Sequence, residues 1–176
     1  LEVILMALRT IVQDGDPILK KVCRPVTKFD ERLGVLLDDM KETLLAANGL
    51  GLAGPQVGMM RRLFICLDER DMPEEVPDNY EYKVIEFINP EILELCDEKV
   101  ELYEGCLSVP GHNGAIARSK HVKVKAQDRH GEWSEMEADD MLARCIQHEN
   151  NHLDGITIMD LATHFYEDDY PEENED

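Results

Sequence analysis

The residues best suited to chemistry lie in the segment QHENNH at positions 147–152. His148 and His152 are four residues apart, so on a helix both imidazoles project from one face and can hold the same metal ion. Glu149, beside them, can take a proton from a water at that metal. The spacing therefore predicts a metal-dependent hydrolase with one coordination position left for water.

A third protein ligand decides which kind of hydrolase this is. The metzincin pattern HExxHxxGxxH is excluded, because Gly155 falls in place but Ile158 occupies the position of the last histidine. Other metallopeptidases use a glutamate further downstream, and here those glutamates lie in a polar tail. The better candidate is Cys106, after a strand-like run at 100–103, whose thiolate would complete a Cys-His-His set with one open position.

Three blocks in the sequence resemble the signature motifs of the peptide deformylase family: GLGLAGPQ at 49–56, EGCLS at 104–108 and QHENNHLDG at 147–155. The likeness extends to GDPILKKVCRPV near the start and INPEI at 88–92. Three ordered blocks at compatible spacing are far more specific than a bare HExxH. The resemblance implies a hydrolase that removes the formyl group from formyl-methionyl nascent polypeptides and releases formate.

The resemblance also implies roles for individual residues. It assigns the contacts to the developing oxyanion to the side-chain amide of Gln56 and the backbone N–H of Leu107. The substrate strand and its methionine side chain are expected at Leu50, Gly51, Glu104, Met141 and Cys145. One divalent metal ion is implied, Fe²⁺ in cells, with Zn²⁺, Ni²⁺ or Co²⁺ able to replace it in purified protein.

Three positions depart from the family pattern. Gly54 stands where a second alanine is usual, and a looser loop is expected there. Asn151 replaces an acidic residue before the second histidine, which weakens an expected contact to that ligand. Arg144 stands where an apolar residue is common, so an altered preference of the methionine pocket is expected.

Two helices must position these residues. Asp30 is predicted to cap the first helix, whose apolar residues follow the i, i+3, i+4 spacing and which Gly49 ends. Asp139 is predicted to cap the helix carrying the histidines, and Gly155 to close it. Glu149 and both histidines share the buried side of that helix, where burial raises the pKa of a carboxyl toward neutrality.

Strands complete the predicted fold. The apolar runs 63–67 and 84–88 predict buried strands, separated by an exposed acidic loop. Alternation at 122–126, a turn at 128–131 and a further strand through Trp133 predict a hairpin. The expected fold class is α+β, with mixed or antiparallel strands packed around a central helix that carries the HExxH motif.

Length and charge fit one small enzyme. A chain of 176 residues predicts a single catalytic domain over 1–165, followed by an acidic, disordered tail over 166–176. The net charge of −20 argues against a nucleic-acid partner. Five cysteines do not suggest a disulfide framework, and no run is apolar enough for a membrane helix, so a cytoplasmic enzyme is expected.

The expected partners are formylated nascent peptides and the ribosome. Many bacterial family members end in a basic helix that docks on the ribosome, whereas this chain ends in acidic residues, so docking by that route is not expected. Two other function classes stay open. One is a metallopeptidase that cuts ordinary amide bonds, and the other is a non-catalytic peptide-binding protein with a structural metal.

Overall fold

The computed structural model describes residues 7–166, which form two β-sheets and three helices. The helices are α1 (Glu31–Ala46), α2 (Asp140–Leu153) and α3 (Ile158–Leu161). The strands are β1 (Gly51–Ala53), β2 (Leu63–Leu67), β3 (Val84–Leu95), β4 (Lys99–Cys106), β5 (Val109–Ser119), β6 (His121–Gln127), β7 (Trp133–Asp139) and β8 (Phe165–Tyr166). A 3-10 turn over Gly54–Val57 follows β1 directly.

The strands form a five-stranded sheet, in the order β1-β2-β3-β6-β7, and a three-stranded sheet, in the order β4-β5-β8. Every pairing between these strands is antiparallel. The predicted α+β class is confirmed. In these orders β1 and β4 are edge strands, so each has one side not paired within its sheet.

Strand β2 explains how the larger sheet is covered on both faces. All five of its residues are buried, and the side chains of the first four alternate between two apolar clusters. Phe64 and Cys66 pack in the cluster that contains the apolar residues of α2. Leu63 and Ile65 pack in the cluster that contains those of α1. The sheet is therefore sandwiched between the two long helices, and the buried strand predicted at 63–67 is confirmed.

Helix α2 contacts both sheets. It packs against β1 and β2 of the larger sheet and against β5 of the smaller one. Its buried side chains include apolar and functional residues alike: Leu142, Ala143, Arg144, Cys145, Ile146, Glu149, His152 and Leu153. The HExxH motif therefore lies on a helix that packs against both sheets, with Glu149 and His152 buried.

The start of α1 agrees with the prediction and its end does not. The Asp30 side chain accepts a hydrogen bond from the Leu33 backbone N–H at 3.2 Å. The residue in the left-handed conformation after the helix is Asn48, at φ 52°, rather than Gly49. Asparagine tolerates this region better than most residues. Gly49 is instead required by space, because a Cβ there would lie 2.7 Å from a Leu107 methyl carbon.

The capping predicted for α2 is half correct. Gly155 follows the helix at φ 74°, as predicted. Asp139 occupies the N-cap position, but its side chain makes no capping bond. It bonds Nδ1 of His121 at 2.8 Å instead, across the β6–β7 pair, because the two residues are direct partners in that ladder.

Some strands differ from the prediction. Strand β3 continues past the predicted end at residue 88, and β1, β5 and β8 were not predicted, whereas the β6–β7 hairpin is confirmed. Tyr166 pairs with Asn113 in β8, although the predicted tail began at that residue, and the rest of the tail lies outside the described residues. Among the described helices, none has the length and apolar character needed to cross a membrane.

Candidate metal centre and active site

The three predicted metal ligands meet at one point. His148 and His152 come from α2, and Cys106 is the last residue of β4. One potential ligand atom from each lies within 4.8 Å of the others. Cys106 Sγ is 3.4 Å from His152 Nε2, and the two imidazole centroids are 5.1 Å apart. The described residues contain no other such group of metal-binding side chains.

The chemistry of this donor set fits a metal ion. His148 Nδ1 is bonded to Glu104 Oε2 at 2.9 Å, so Nε2 is the nitrogen left for coordination. His152 is 1% exposed, and its Nδ1 has no hydrogen-bond partner among the described residues. One thiolate and two imidazoles suit Zn²⁺, Fe²⁺, Ni²⁺ or Co²⁺. Three protein ligands leave a position open, as catalytic sites require.

The two imidazoles have opposite electrostatic surroundings. Burial alone would lower the pKa of His148, but its hydrogen bonds to Cys106 and Glu104 outweigh burial and raise the pKa well above its usual value. Burial and the charge of His148 lower the pKa of His152 well below its usual value. A metal ion binding through His148 therefore displaces a proton, and acid weakens binding.

Glu149 has the surroundings of a proton carrier. It is 3% exposed, and its Oε2 has no hydrogen-bond partner within the described part of the chain. Its Oε1 lies 4.0 Å from His148 Nε2. Burial raises the pKa of Glu149 to about 7, against the opposing effect of His148. A carboxyl group with a pKa near neutrality can accept a proton and return it within one reaction cycle.

Because Gly51 has no side chain, it leaves room for the carboxyl group of Glu149. A Cβ at Gly51 would lie 2.7 Å from Cys145 Sγ and 2.7 Å from the Glu149 carboxyl carbon, and closer still to its Oε1. Gly51 is also paired with Cys66 in the β1–β2 ladder, which limits how far its backbone can shift. The glycine is therefore needed for close approach rather than for a turn.

Gln56 is oriented by its own loop. Its Oε1 accepts a hydrogen bond from the Ala53 N–H at 2.8 Å, which directs Nε2 toward the metal ligands. Nε2 donates to Ser108 Oγ at 3.1 Å and lies 3.6 Å from Cys106 Sγ. The loop is tight, because a Cβ at Gly54 would lie 2.7 Å from the Met59 carbonyl oxygen. The expectation of a loosened loop at Gly54 therefore does not match the packing.

A cavity of about 380 Å³ opens onto these groups. Its walls include Gln56, Leu107, Cys106, His148 and Glu149. They also include all of the predicted substrate residues: Leu50, Gly51, Glu104, Met141 and Cys145. Met141 is 45% exposed, so it forms the rim of the cavity rather than a buried part of it. The residues predicted to bind substrate therefore line one cavity, with Met141 at its rim.

A buried cluster of charged side chains next to His148 was not predicted from the sequence. Glu104 receives hydrogen bonds from Arg118, Arg144 and His148, and all four side chains are nearly inaccessible. Burial alone would raise the pKa of Glu104, but the bonds from Arg118 and His148 lower it to about 2. Arg144 therefore bonds Glu104, and because it also lines the cavity, its expected effect on the methionine pocket stays a prediction.

Arg118 carried one weak signal in the sequence. It is an arginine in the run AIARS, where its neighbours are small or apolar, and such a position indicates a buried charge that needs a partner. Asn151 accepts a hydrogen bond from Arg118 Nη1, so it retains a link to this cluster despite the lost acidic group.

Comparison with known proteins agrees with this geometry. Residues 8–167 match the family model described as polypeptide deformylase. The chain belongs to this family. A peptide deformylase of Clostridium botulinum is 46% identical over 90% of this chain and 99% of its own length, and one from Heliobacterium modesticaldum is 43% identical over 96% and 100%.

Solved structures of deformylases have the same fold. The crystal structure of the Thermotoga maritima enzyme has a TM-score of 0.80 at 41% identity, covering 89% of this chain and 99% of that one. A Met-Ala-Ser-bound structure from Acinetobacter baumannii has a TM-score of 0.79 at 34% identity, covering 89% and 99%. The chain is accordingly a metal-dependent hydrolase that removes N-terminal formyl groups from nascent peptides.

Proposed function

We propose that Cys106, His148 and His152 hold the metal ion and that Glu149 is the general base and acid of deformylation. A divalent metal bound there supplies Lewis acidity, which polarises the formyl carbonyl and lowers the pKa of an attacking water. The support is the convergence of the three donor side chains at a cavity beside a buried carboxyl group whose Oε2 has no partner among the described residues.

Glu149 handles both proton transfers. It removes a proton from the water as the oxygen attacks the formyl carbon, and its pKa of about 7 suits that step near neutral pH. It then gives the proton to the departing amine as the carbon–nitrogen bond breaks, which releases formate and a free amino terminus. Its contacts with Gly51 limit the positions available to the carboxylate during both steps.

Gln56 and Leu107 stabilise the negative oxygen that forms when water attacks. The Gln56 amide is oriented by the Ala53 N–H, and its Nε2 can donate to the oxyanion by exchanging its long contact with Cys106 Sγ for the new oxygen. Leu107 lies in the turn between β4 and β5 and lines the same cavity, and we assign its backbone N–H as the second donor.

The substrate binds as an added strand. The edge strands β1 and β4 each contribute a wall of the cavity, through Gly51 and through residues 104–106. An extended peptide can hydrogen-bond to such edges while one side chain enters a pocket. Leu50, Met141 and Cys145 form an apolar wall that suits a methionine side chain. The Acinetobacter relative with bound Met-Ala-Ser supports a peptide of this kind.

The wider assignments extend this proposal. We propose Fe²⁺ as the cellular metal, a single catalytic domain over 1–165, and a cytoplasmic enzyme that meets nascent chains at the ribosome. Residues 167–176 are largely acidic, so this segment does not supply a basic surface for that contact.

The deciding experiment compares formyl-Met-Ala-Ser with its unformylated twin, using the metal-loaded protein. We expect formate from the first peptide and no cleavage of the second, with about one metal ion per chain by elemental analysis. Cleavage of Met-Ala-Ser would favour the metallopeptidase alternative. Binding of the formylated peptide without any formate would favour the non-catalytic one.

A further inference from the structure

The carboxylate of Glu104 is held by side chains of two arginines and one histidine. Its Oε1 accepts from Arg118 Nε at 2.8 Å and from Arg144 Nη1 at 2.6 Å. Its Oε2 accepts from Arg118 Nη2 at 2.9 Å and contacts His148 Nδ1 at 2.9 Å. Each oxygen therefore has two partners, and the metal ligand is one of the four.

Arg144 reaches this carboxylate from the same helix as the metal ligand. Arg144 and His148 are four residues apart on α2, so their side chains lie on one face. The guanidinium of Arg144 also donates to the carbonyl oxygens of Ile116 in β5 and Val100 in β4. These bonds leave the guanidinium little freedom, and its side chain is only 7% exposed.

The two arginines hold the Glu104 carboxylate in different ways. Arg118 comes from β5 and spans both oxygens, so by itself it fixes the carboxylate to the smaller sheet. Arg144 binds only Oε1 and comes from α2, so it couples the carboxylate to the helix that carries His148. With Oε1 held from the helix, Oε2 is kept opposite His148 Nδ1.

We propose that Arg144 is a positioning residue for His148, which it orients by holding Glu104 from the same helix. This inference rests on the proposed role of His148 as a metal ligand. With Nδ1 engaged by Glu104, Nε2 faces Cys106 and His152, and the three donors stay preorganised for one ion. A purely structural role is the competing explanation, in which Arg144 only ties α2 to Val100 and Ile116.

A double-mutant cycle on metal release separates these roles. The zinc-loaded protein is mixed with excess chelator, and zinc loss is followed for the parent, Arg144→Met, Glu104→Gln and the double variant. Removing a partner of a metal-binding histidine typically costs about 10- to 100-fold in metal affinity, which we expect for Glu104→Gln. For Arg144→Met, which leaves Arg118 in place, we expect zinc loss roughly 3- to 10-fold faster.

The double variant decides the mechanism. If Arg144 acts through Glu104, the rate of zinc loss from the double variant differs by less than about twofold from the rate for Glu104→Gln alone. Equal effects of Arg144→Met in both backgrounds, or none in the parent, would overturn the proposal. If Arg144→Met does not fold, Arg144→Lys, which keeps the charge but loses the fork of donors, is carried through the same cycle.

Arg129→Met is the matched control. Arg129 bonds Glu86 and Asp38 in a half-buried cluster that contains no predicted metal ligand. We expect it to lower the melting temperature without changing zinc loss. Formate release by the parent is measured in the same series. A parent without activity refutes the proposed function, whereas an active parent whose zinc loss is insensitive to Arg144→Met refutes only this inference.

Discussion

Replacing Gly51 by alanine tests the close approach between β1 and α2. The new methyl carbon would lie 2.7 Å from Cys145 Sγ and from the carboxyl carbon of Glu149, and still closer to the Oε1 of Glu149. Ordinary carbon–sulfur and carbon–carbon contacts are about 3.5 to 4 Å, so one of these groups must shift by roughly 1 Å. Strand β1 cannot easily yield, because Gly51 is paired with Cys66.

We expect Gly51→Ala to lower the stability of the protein and, if Glu149 moves, its catalytic rate. Overpacking of this kind costs about 1–3 kcal/mol, which lowers the melting temperature by roughly 2–4 °C per kcal/mol in a protein of this size. A positioned acid–base group contributes a rate enhancement of roughly 100- to 10,000-fold. If Glu149 is the group that moves, part of this rate enhancement is also lost. The loss should appear in kcat, because the proton transfers follow substrate binding.

Formate release and thermal melting are measured on Gly51→Ala and on Gly34→Ala. Gly34 lies in α1, where an added Cβ would meet nothing closer than 4.0 Å. Alanine there should be neutral or stabilise the protein by up to about 1 kcal/mol, with unchanged activity. Parental stability and kcat in Gly51→Ala would refute the argument that this glycine makes room for the base.

Three further outcomes are expected. Glu149→Gln should keep its metal by elemental analysis and lose roughly 100- to 10,000-fold in formate release, and full activity would remove the base from the mechanism. Cys106→Ala should lose both metal and activity, and normal metal content would exclude the thiolate as a ligand. Hydrogen bonds from Arg70 and Lys83 hold the pKa of Asp68 well below its usual 3.8, so its stabilisation is present above that value and lost as pH falls. The melting-temperature gap between parent and Asp68→Asn should thus be larger at about pH 6 than at about pH 3, and an equal gap would contradict this.

The sequence predicts some elements well because their patterns have one dominant cause. Strand β2 is apolar throughout because helices cover both of its faces, and its predicted bounds agree with the structure. The β6–β7 hairpin alternates because one side of β6 faces the core. His148, Glu149 and His152 were predicted to lie together from their spacing on one helix, which the helix geometry fixes locally.

Other elements depend on partners distant in sequence. Strand β5 contains Pro110 and Gly111, which indicate a turn locally; they lie where its register with β4 shifts, and the regular pairing with β4 begins again at Gly114. Asp139 does not cap α2 because His121, opposite it in the ladder, binds its carboxylate. The bond between Arg144 and Glu104 was not predicted, because nothing near Arg144 in sequence indicates that Glu104 lies within reach.

The site contains two buried carboxyl groups whose pKa values are shifted in opposite directions. Glu104 and Glu149 both lose water on folding, which raises the pKa of each. Glu104 also receives hydrogen bonds from cationic side chains, which lower its pKa to about 2 and make it a permanent anion beside His148. Glu149 has no such donor among the described residues, so its pKa stays near 7.

This difference assigns the roles without reference to any ligand. A permanent anion can orient an imidazole but cannot carry a proton at neutral pH, whereas a carboxyl group with a pKa near 7 can do so. Arg118 and His148 keep Glu104 ionised, so of these two buried carboxyl groups only Glu149 can exchange a proton near neutral pH.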